Sequence, residues 1–111
     1  MSLKTRKRAP VRAAVFAALG DETRLNLISR LADAQRYSIS QLTEGSGLTR
    51  QAITKHLRIL EAARIVHHVH SGRESLFEFD PKPIRTVKDY LDLVSAQWDD
   101  ALGRLKAFVE T

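Results

Sequence analysis

The clearest periodic pattern of apolar and polar residues along the chain lies in residues 49–62. Ile53, Leu57 and Leu60 recur at the spacing that places side chains on one face of a helix. Thr49, which precedes them, is a favourable N-cap residue. The opposite face carries side chains that can donate hydrogen bonds to a phosphate or to a base edge: Arg50, Gln51, Thr54, Lys55 and Arg58. The pattern predicts an amphipathic helix whose polar face suits DNA.

A shorter helix is predicted just before it, at residues 38–44. Ser38 is a suitable N-cap, and Gln41 stands three residues later, as a capping box requires. A glycine-rich turn at residues 44–47 separates the two helices. Two helices joined by such a turn form a helix-turn-helix motif, in which the second helix meets the major groove of DNA. The alternative is an ordinary amphipathic surface helix, and the residues that follow favour the motif.

Residues 65–79 predict a β-hairpin. The first run, 65–70, is β-branched and interleaved with polar residues, and the second ends with Phe77 and Phe79 on one face. Gly72 supplies a flexible tip, beside Arg73. A helix-turn-helix followed by a two-stranded ribbon with an arginine at its tip is a winged helix.

Two further helices are predicted before the motif. Asp21 is a suitable N-cap for the second of them, which is expected to end near residues 33–36. Its core-facing stripe is expected to consist of Leu25, Ile28 and Leu31, widened by Leu27. The first helix is expected to start at Pro10 and end at Gly20, with an apolar stripe formed by Val11, Ala14, Val15, Ala18 and Leu19.

A long last helix is predicted after the proline-containing break at residues 80–83, starting at Pro81 or Pro83. Its first apolar stripe has heptad spacing and contains Ile84, Val87, Leu91, Val94, Trp98, Ala101, Leu105 and Phe108. A second stripe contains Tyr90, Leu93, Leu102 and Val109. One stripe is expected to cover the core and the other to lie on a partner helix; the alternative is a single wide face buried within one monomer. The predicted fold class is mainly α with a small β-hairpin, in the order α-α-α-α-β-β-α.

Composition narrows the class of protein. The 111 residues suit one domain, and the net charge of +5 favours an anionic partner, although a merely soluble basic protein is as common. The absence of cysteine excludes disulfides and thiolate metal sites and fits a cytoplasmic location. No apolar run is long enough to predict a transmembrane helix. Residues 1–9 are predicted to be a basic flexible arm, either touching phosphate or solvated, ahead of a domain at 10–111.

The chain resembles the ArsR/SmtB-type winged-helix repressors of bacteria and archaea. The resemblance rests on residues 16–24 with their Leu-Gly-Asp-Glu-Thr-Arg run, on residues 53–60 with their Lys-His-Leu segment, and on residues 72–74. It implies a homodimeric transcriptional repressor on a palindromic operator, paired through the first and last helices. It assigns the dimer contacts to Phe16, Leu19, Val87, Leu91, Val94, Trp98 and Leu105. Together with the donor pattern, it assigns the DNA contacts to Thr49, Arg50, Gln51, Thr54, Lys55, His56, Arg58 and Arg73.

The resemblance gives no support for metal sensing. Metal-binding relatives carry either a Cys-x-Cys pattern on the helix before the recognition helix or Asp and His ligands along the last helix. Here residues 38–42 contain no cysteine, and no histidine follows His70. In the hairpin, strand alternation places His68 and His70 on one face and His67 on the other. Two zinc ligands are conceivable there, with Glu78 on the opposing strand, but a solvent-facing strand near DNA phosphate is the favoured interpretation. No cofactor is expected, and no motif indicates an enzyme.

Three hypotheses remain for the function. They are a DNA-binding repressor, a protein-interaction module with a winged-helix fold, and a metal sensor that uses the wing histidines. The donor-rich face of residues 50–58 favours the first over the second, because a protein-binding helix presents exposed apolar anchors. An unidentified small-molecule or protein effector is left open.

Overall fold

A computed structural model describes residues 11–110 of the chain. The elements, in chain order, are α1 (Val11–Leu19), α2 (Glu22–Leu31), β1 (Tyr37–Ser38), α3 (Ile39–Thr43), α4 (Arg50–Ala62), β2 (Val66–Ser71), β3 (Glu74–Phe79) and α5 (Lys82–Glu110). Pro10, expected to start the first helix, lies outside the described residues, as does the basic arm at 1–9. The fold is a winged helix-turn-helix, mainly helical with a small antiparallel sheet.

The predicted N-caps are present. The Asp21 side chain accepts a hydrogen bond from the backbone nitrogen of Arg24 at the start of α2. Ser38 and Gln41 form the complete capping box of α3, each side chain accepting from the other residue's backbone nitrogen. Each cap pairs backbone N–H groups that a helix start leaves without partners, and such a cap contributes about 1 kcal/mol.

The sheet has three strands in the order β1-β3-β2, rather than the two of the predicted hairpin. β1 is only Tyr37–Ser38, and it pairs with Phe77 and Leu76 of β3. Two residues are too few to show the alternation that identifies a strand in a sequence. Because Ser38 is also the N-cap of α3, this short strand fixes the helix-turn-helix motif directly to the base of the wing.

One hydrophobic core joins all four N-terminal helices to the sheet and to the start of α5. The prediction was wrong for Leu25, which is 41% exposed, whereas Leu27 and Leu31 are buried. The buried face of α2 is centred on this i, i+4 pair, which lies on the opposite side of the helix from Leu25. In α1, Val15 and Ala18 are buried as expected, but Ala14 is exposed. The helix α2 also ends at Leu31, before the expected 33–36.

The last helix, α5, is 29 residues long, and only its beginning packs into the core, through Pro83 and Val87. The α1 helix lies against it, with the rings of Phe16 and Tyr90 in an edge-on contact at 6.0 Å between centroids. Beyond this contact α5 extends away from the core, with Trp98 and Leu105 both more than half exposed. None of the described helices is long and apolar enough to cross a membrane.

Candidate nucleic-acid interface

The orientation of α4 follows from its apolar face. Ile53, Leu57 and Leu60 are completely buried in the core, and this fixes the rotation of the helix about its axis. The opposite face therefore points to solvent. One open depression on this face is lined by all five predicted donor residues: Arg50, Gln51, Thr54, Lys55 and Arg58. The structure thus brings these side chains together on one accessible surface.

Two threonines of the predicted site already make hydrogen bonds within the helix. Thr49 Oγ1 accepts from the backbone nitrogen of Ala52 at 3.0 Å, which leaves its hydroxyl proton free to donate outward. Thr54 Oγ1 donates to the Arg50 carbonyl oxygen at 2.7 Å. Toward a ligand, Thr54 is therefore an acceptor rather than the donor that the sequence indicated.

His56 lies behind this surface rather than on it. Its Nδ1 atom is 3.2 Å from Arg24 Nη1 and 3.8 Å from Asp21 Oδ2, and only 22% of its side chain is exposed. Arg24 also donates from Nε to the Ala18 carbonyl oxygen at 2.6 Å and from Nη2 to the Ala17 carbonyl oxygen at 3.3 Å. One guanidinium therefore ties the end of α1 to the middle of α4. Arg24 enters the sequence pattern only as part of a family motif, and no spacing rule indicates its contact with His56.

The wing consists of β2 and β3 with Gly72 and Arg73 at the tip. Gly72 has a φ of 63°, a left-handed conformation that glycine adopts without steric cost. Arg73 is exposed beside it. The tip thus presents one cation at a distance from the core, as the hairpin pattern predicted.

The three wing histidines divide between two faces, as strand alternation predicted. His68 and His70 have ring centroids 4.6 Å apart, and His68 also stacks on Phe77 at 4.8 Å with an interplanar angle of 11°. His68 Nε2 is hydrogen-bonded to the Ser75 hydroxyl across the strand pair. We call the face with His68 and His70 the inner face of the wing. His67 points the other way and pairs with Asp80, with 2.7 Å between Nε2 and Oδ2.

Possible metal ligands do not converge on the inner face. Glu78, the candidate third ligand, lies opposite His67 on β3 and therefore on the outer face, where its carboxylate pairs with Arg36 Nε at 3.1 Å. Within residues 11–110, no three side chains of His, Asp or Glu are grouped closely enough to hold a metal ion.

The Asp80 carboxylate, on the outer side of the wing, is held by two hydrogen bonds. The hydrogen bond with His67, followed by one from the backbone of Lys82, lowers the pKa of Asp80.

Comparison with known proteins identifies the family. Residues 21–68 match the model described as "Bacterial regulatory protein, arsR family". The HTH-type transcriptional regulator YuzN of Bacillus subtilis is 32% identical over 80 residues, which cover 67% of this chain and 87% of that protein. The chain belongs to the ArsR family. It is a transcriptional regulator with a winged helix-turn-helix DNA-binding domain.

Solved structures of ArsR-type proteins share the fold. An ArsR-like transcriptional regulator from Rhodococcus sp. RHA1 is 35% identical, with a TM-score of 0.78 over 88% of this chain and 92% of that chain. A winged helix-turn-helix DNA-binding domain from Mycobacterium bovis, described as homodimeric, has a TM-score of 0.64 over 87% of this chain and 89% of that chain. At 16% identity the second comparison concerns the fold alone.

In this ArsR-family chain, the residues assigned to a dimer surface do not all lie on the outside. Phe16, Leu91, Trp98 and Leu105 are exposed, by 37% to 64%. Leu19 and Val94 are half-buried, and Leu19 packs against the core. Val87 is only 4% exposed, because it lies where α5 covers the core of its own chain. Val87 is therefore a core residue and does not belong to the proposed dimer surface.

Proposed function

We propose that the protein is a homodimeric repressor that binds a palindromic operator in double-stranded DNA. Base edges are read by Arg50, Gln51, Thr54 and Lys55, and phosphates are held by Thr49, Arg58 and Arg73. The observation that carries the proposal is the depression on α4. The side chains that line it face solvent, while Ile53, Leu57 and Leu60 on the opposite face of the same helix are completely buried. A duplex can therefore contact α4 without any change in the core.

The chemistry of each side chain determines its part in the proposal. Arginine and lysine pair with the O6 and N7 acceptors of guanine, and glutamine pairs with adenine through N6 and N7. Thr54, whose proton is bonded to the Arg50 carbonyl, accepts from an amino group or lies against a thymine methyl. Phosphate contacts from Arg58 and Arg73 fix the register but carry no sequence information. His56 acts from behind, by holding α4 in place with Arg24.

A dimer follows from the size of the site. One α4 helix reads only a few base pairs, whereas a symmetric pair presents two such helices about one turn of DNA apart, ~34 Å. The exposed apolar residues of α5, among them Leu91, Trp98 and Leu105, provide the surface for the pairing. Phe16 of α1 adjoins this surface through its contact with Tyr90. The homodimeric state of the Mycobacterium bovis domain, which has the same fold, supports this arrangement.

Repression by occupancy of an operator is the mode of action that the resemblance to ArsR/SmtB-type repressors supports. The net charge of +5 assists, because a basic surface accelerates association with DNA and releases counterions on binding.

Selection of bound fragments from genomic DNA tests the proposal. The expected result is enrichment of an inverted repeat whose half-site centres are about one helical turn apart. The matched control is a variant with Arg50, Gln51 and Lys55 all changed to alanine, which alters only exposed residues and is expected to fold normally. This variant should enrich nothing above background. Enrichment of a motif without two-fold symmetry, or equal enrichment by the variant, would contradict the proposal.

A further inference from the structure

A groove separates the α4 helix from the inner face of the wing, next to the depression that the proposed function uses. Two of its residues, Thr54 and Arg58, also line that depression. The two surfaces are therefore continuous, and a duplex that contacts the outer face of α4 passes over the groove. The side chains that line the groove from α4 and from the wing are Thr54, Arg58, Glu61, His68, Ser75 and Phe77.

The His68 ring is held in a defined position within this groove. It stacks nearly parallel on Phe77, which is buried and therefore rigid. The hydrogen bond between Nε2 and the Ser75 hydroxyl fixes the rotation of the ring. His70 follows on the same face toward the tip, with its centroid 4.6 Å from that of His68. Both rings remain exposed; His68 lines the groove, and His70 lies beside it toward the tip of the wing.

We propose that His68 and His70, together with Arg58, form a binding site for a phosphate of the DNA backbone, and that this site holds the phosphate more tightly when it carries a proton. The inference rests on the proposed function and adds to it a set of residues on the wing. A protonated imidazole carries a positive charge and an N–H on both nitrogens, so His68 can donate from Nδ1 to a phosphodiester oxygen while Nε2 stays bonded to Ser75. A phosphate beside the rings favours the protonated form of an imidazole, so affinity should rise as pH falls.

The other charged groups around the pair are consistent with this assignment. From α4, Arg58 contributes a permanent cation and Glu61 a carboxylate, three residues further along the helix. The first turns of α4 are the part that enters the major groove, so Glu61 lies toward the end remote from DNA. From β3, Glu74 adjoins Ser75 and lines the neighbouring depression with Arg50. The α3 helix contributes only Ile39 to the groove.

His67 supplies an internal control for the proposal. It is one residue from His68 and is also exposed, but it lies on the outer face and its ring is paired with Asp80. A duplex seated on α4 contacts the inner face, so His67 takes no part in holding the phosphate. Replacing it removes a histidine from the same strand without changing the groove.

The test measures the salt dependence of duplex binding at about pH 6 and about pH 8, on either side of the ordinary imidazole pKa of about 6.5. Each phosphate neutralised by the protein adds about 0.9 to the slope of log affinity against log salt. The probes are a duplex recovered from genomic DNA and a mixed-sequence duplex of equal length, because a phosphate contact is independent of sequence. The proteins are the unmodified chain, His68→Gln/His70→Gln and His67→Gln. A chelator is present throughout, and melting temperatures verify folding.

For the unmodified chain and for His67→Gln, the slope should be steeper by about 1 at the lower pH, and affinity should be about tenfold higher there on both duplexes. The double variant should lose both differences. A double variant that keeps the pH dependence overturns the proposal, as does affinity that rises only when zinc is added in place of chelator. If neither duplex is bound at any pH, the proposed function fails as well. If Gln51→Ala relaxes sequence preference but the double variant is unchanged, only the phosphate site fails.

Discussion

Arg24 Nη1 lies 3.2 Å from His56 Nδ1, which links the α2 helix to the middle of the DNA-facing helix α4. A guanidinium is always a donor, so Nδ1 is the unprotonated acceptor and the ring carries its proton on Nε2. Arg24 also donates from Nε and Nη2 to the carbonyl oxygens of Ala18 and Ala17, at the end of α1. Since α1 adjoins the proposed dimer surface, Arg24 connects that surface with the helix that reads DNA.

The first prediction concerns this link. Arg24→Ala should lower the free energy of unfolding by about 1.5–3 kcal/mol, because charge-assisted hydrogen bonds are lost. It should also lower the operator affinity of the molecules that remain folded, since α4 loses its support. The matched control is Arg30→Ala on the same helix, whose guanidinium bonds to the carbonyls of Gln41 and Leu42 but not to α4. Denaturation measures the free energy of unfolding, and DNA titration at equal folded fraction measures the affinity. Equal loss of affinity in both variants would contradict the role assigned to Arg24.

The second prediction concerns base recognition. Gln51→Ala should relax the preference at one position in each half-site, at a cost of about 1–3 kcal/mol against the preferred base. The Gln51 side chain is exposed and lines the depression, so folding should be unaffected. Competition among operators that differ at single positions measures the change. An unchanged preference at every position would show that Gln51 does not read a base.

The third prediction concerns the wing tip. Arg73→Ala should weaken binding to all duplexes about equally and reduce the salt slope by about 1, because one phosphate contact is lost. Lys88→Ala is a matched control, since it removes one exposed cation from α5, where the ammonium is paired with Asp92. The control should leave the slope unchanged. A loss confined to the specific operator would assign Arg73 to base recognition instead.

The fourth prediction concerns pH and stability. The pKa of Asp80 is lowered from its ordinary value of 3.8 by the contact with His67 and by the backbone of Lys82. A pKa lower in the folded than in the unfolded state means that the ionised carboxylate stabilises the fold fully above about pH 3.8, and that this stabilisation is lost as pH falls through the folded-state value.

Asp80→Asn, which keeps the shape and removes the charge, should therefore lower the free energy of unfolding by about 1 kcal/mol at neutral pH. The difference should shrink as pH falls below the ordinary carboxylate range. Asp92→Asn is the control, because this carboxylate is exposed and its ion pair contributes little. Denaturation over a pH series makes the measurement, and equal stability of the Asp80 variant at neutral pH would count against the role of this contact.

Features that depend only on neighbouring residues, such as helix caps and strand alternation, were predicted correctly from the sequence. The caps at Asp21, Ser38 and Thr49 depend on residues within three positions, and all are present. The division of His67 from His68 and His70 follows from strand alternation alone. These features need no knowledge of the tertiary structure.

Features that depend on tertiary packing were missed or misplaced. Leu25 and Leu27 are both favourable for a helix core, and only the placement of α2 against α4 decides that Leu27 is buried. Arg24 and His56 are 32 residues apart, and no spacing rule connects them. Val87 fits the heptad pattern of α5 as well as Leu91 does, but the core ends between them: Val87 is 4% exposed and Leu91 is 49% exposed.

The last prediction concerns assembly. Leu91→Asp places a charge at the start of the exposed apolar stripe of α5, where burial against a partner leaves it unpaired. The variant should be monomeric and should lose operator binding, although α4 is unchanged. Ala96→Asp is the matched control, because it adds the same charge on the opposite face of the same helix. The control should remain a dimer with unchanged affinity.

Light scattering of the free protein and of its operator complex is the most direct test of the account. The expected result is a molar mass of two chains for the unmodified protein at micromolar concentration, and two chains per inverted repeat in the complex. Leu91→Asp should have the mass of one chain and form no complex. An unmodified protein that stays monomeric at micromolar concentration and still binds a palindromic duplex would contradict the account.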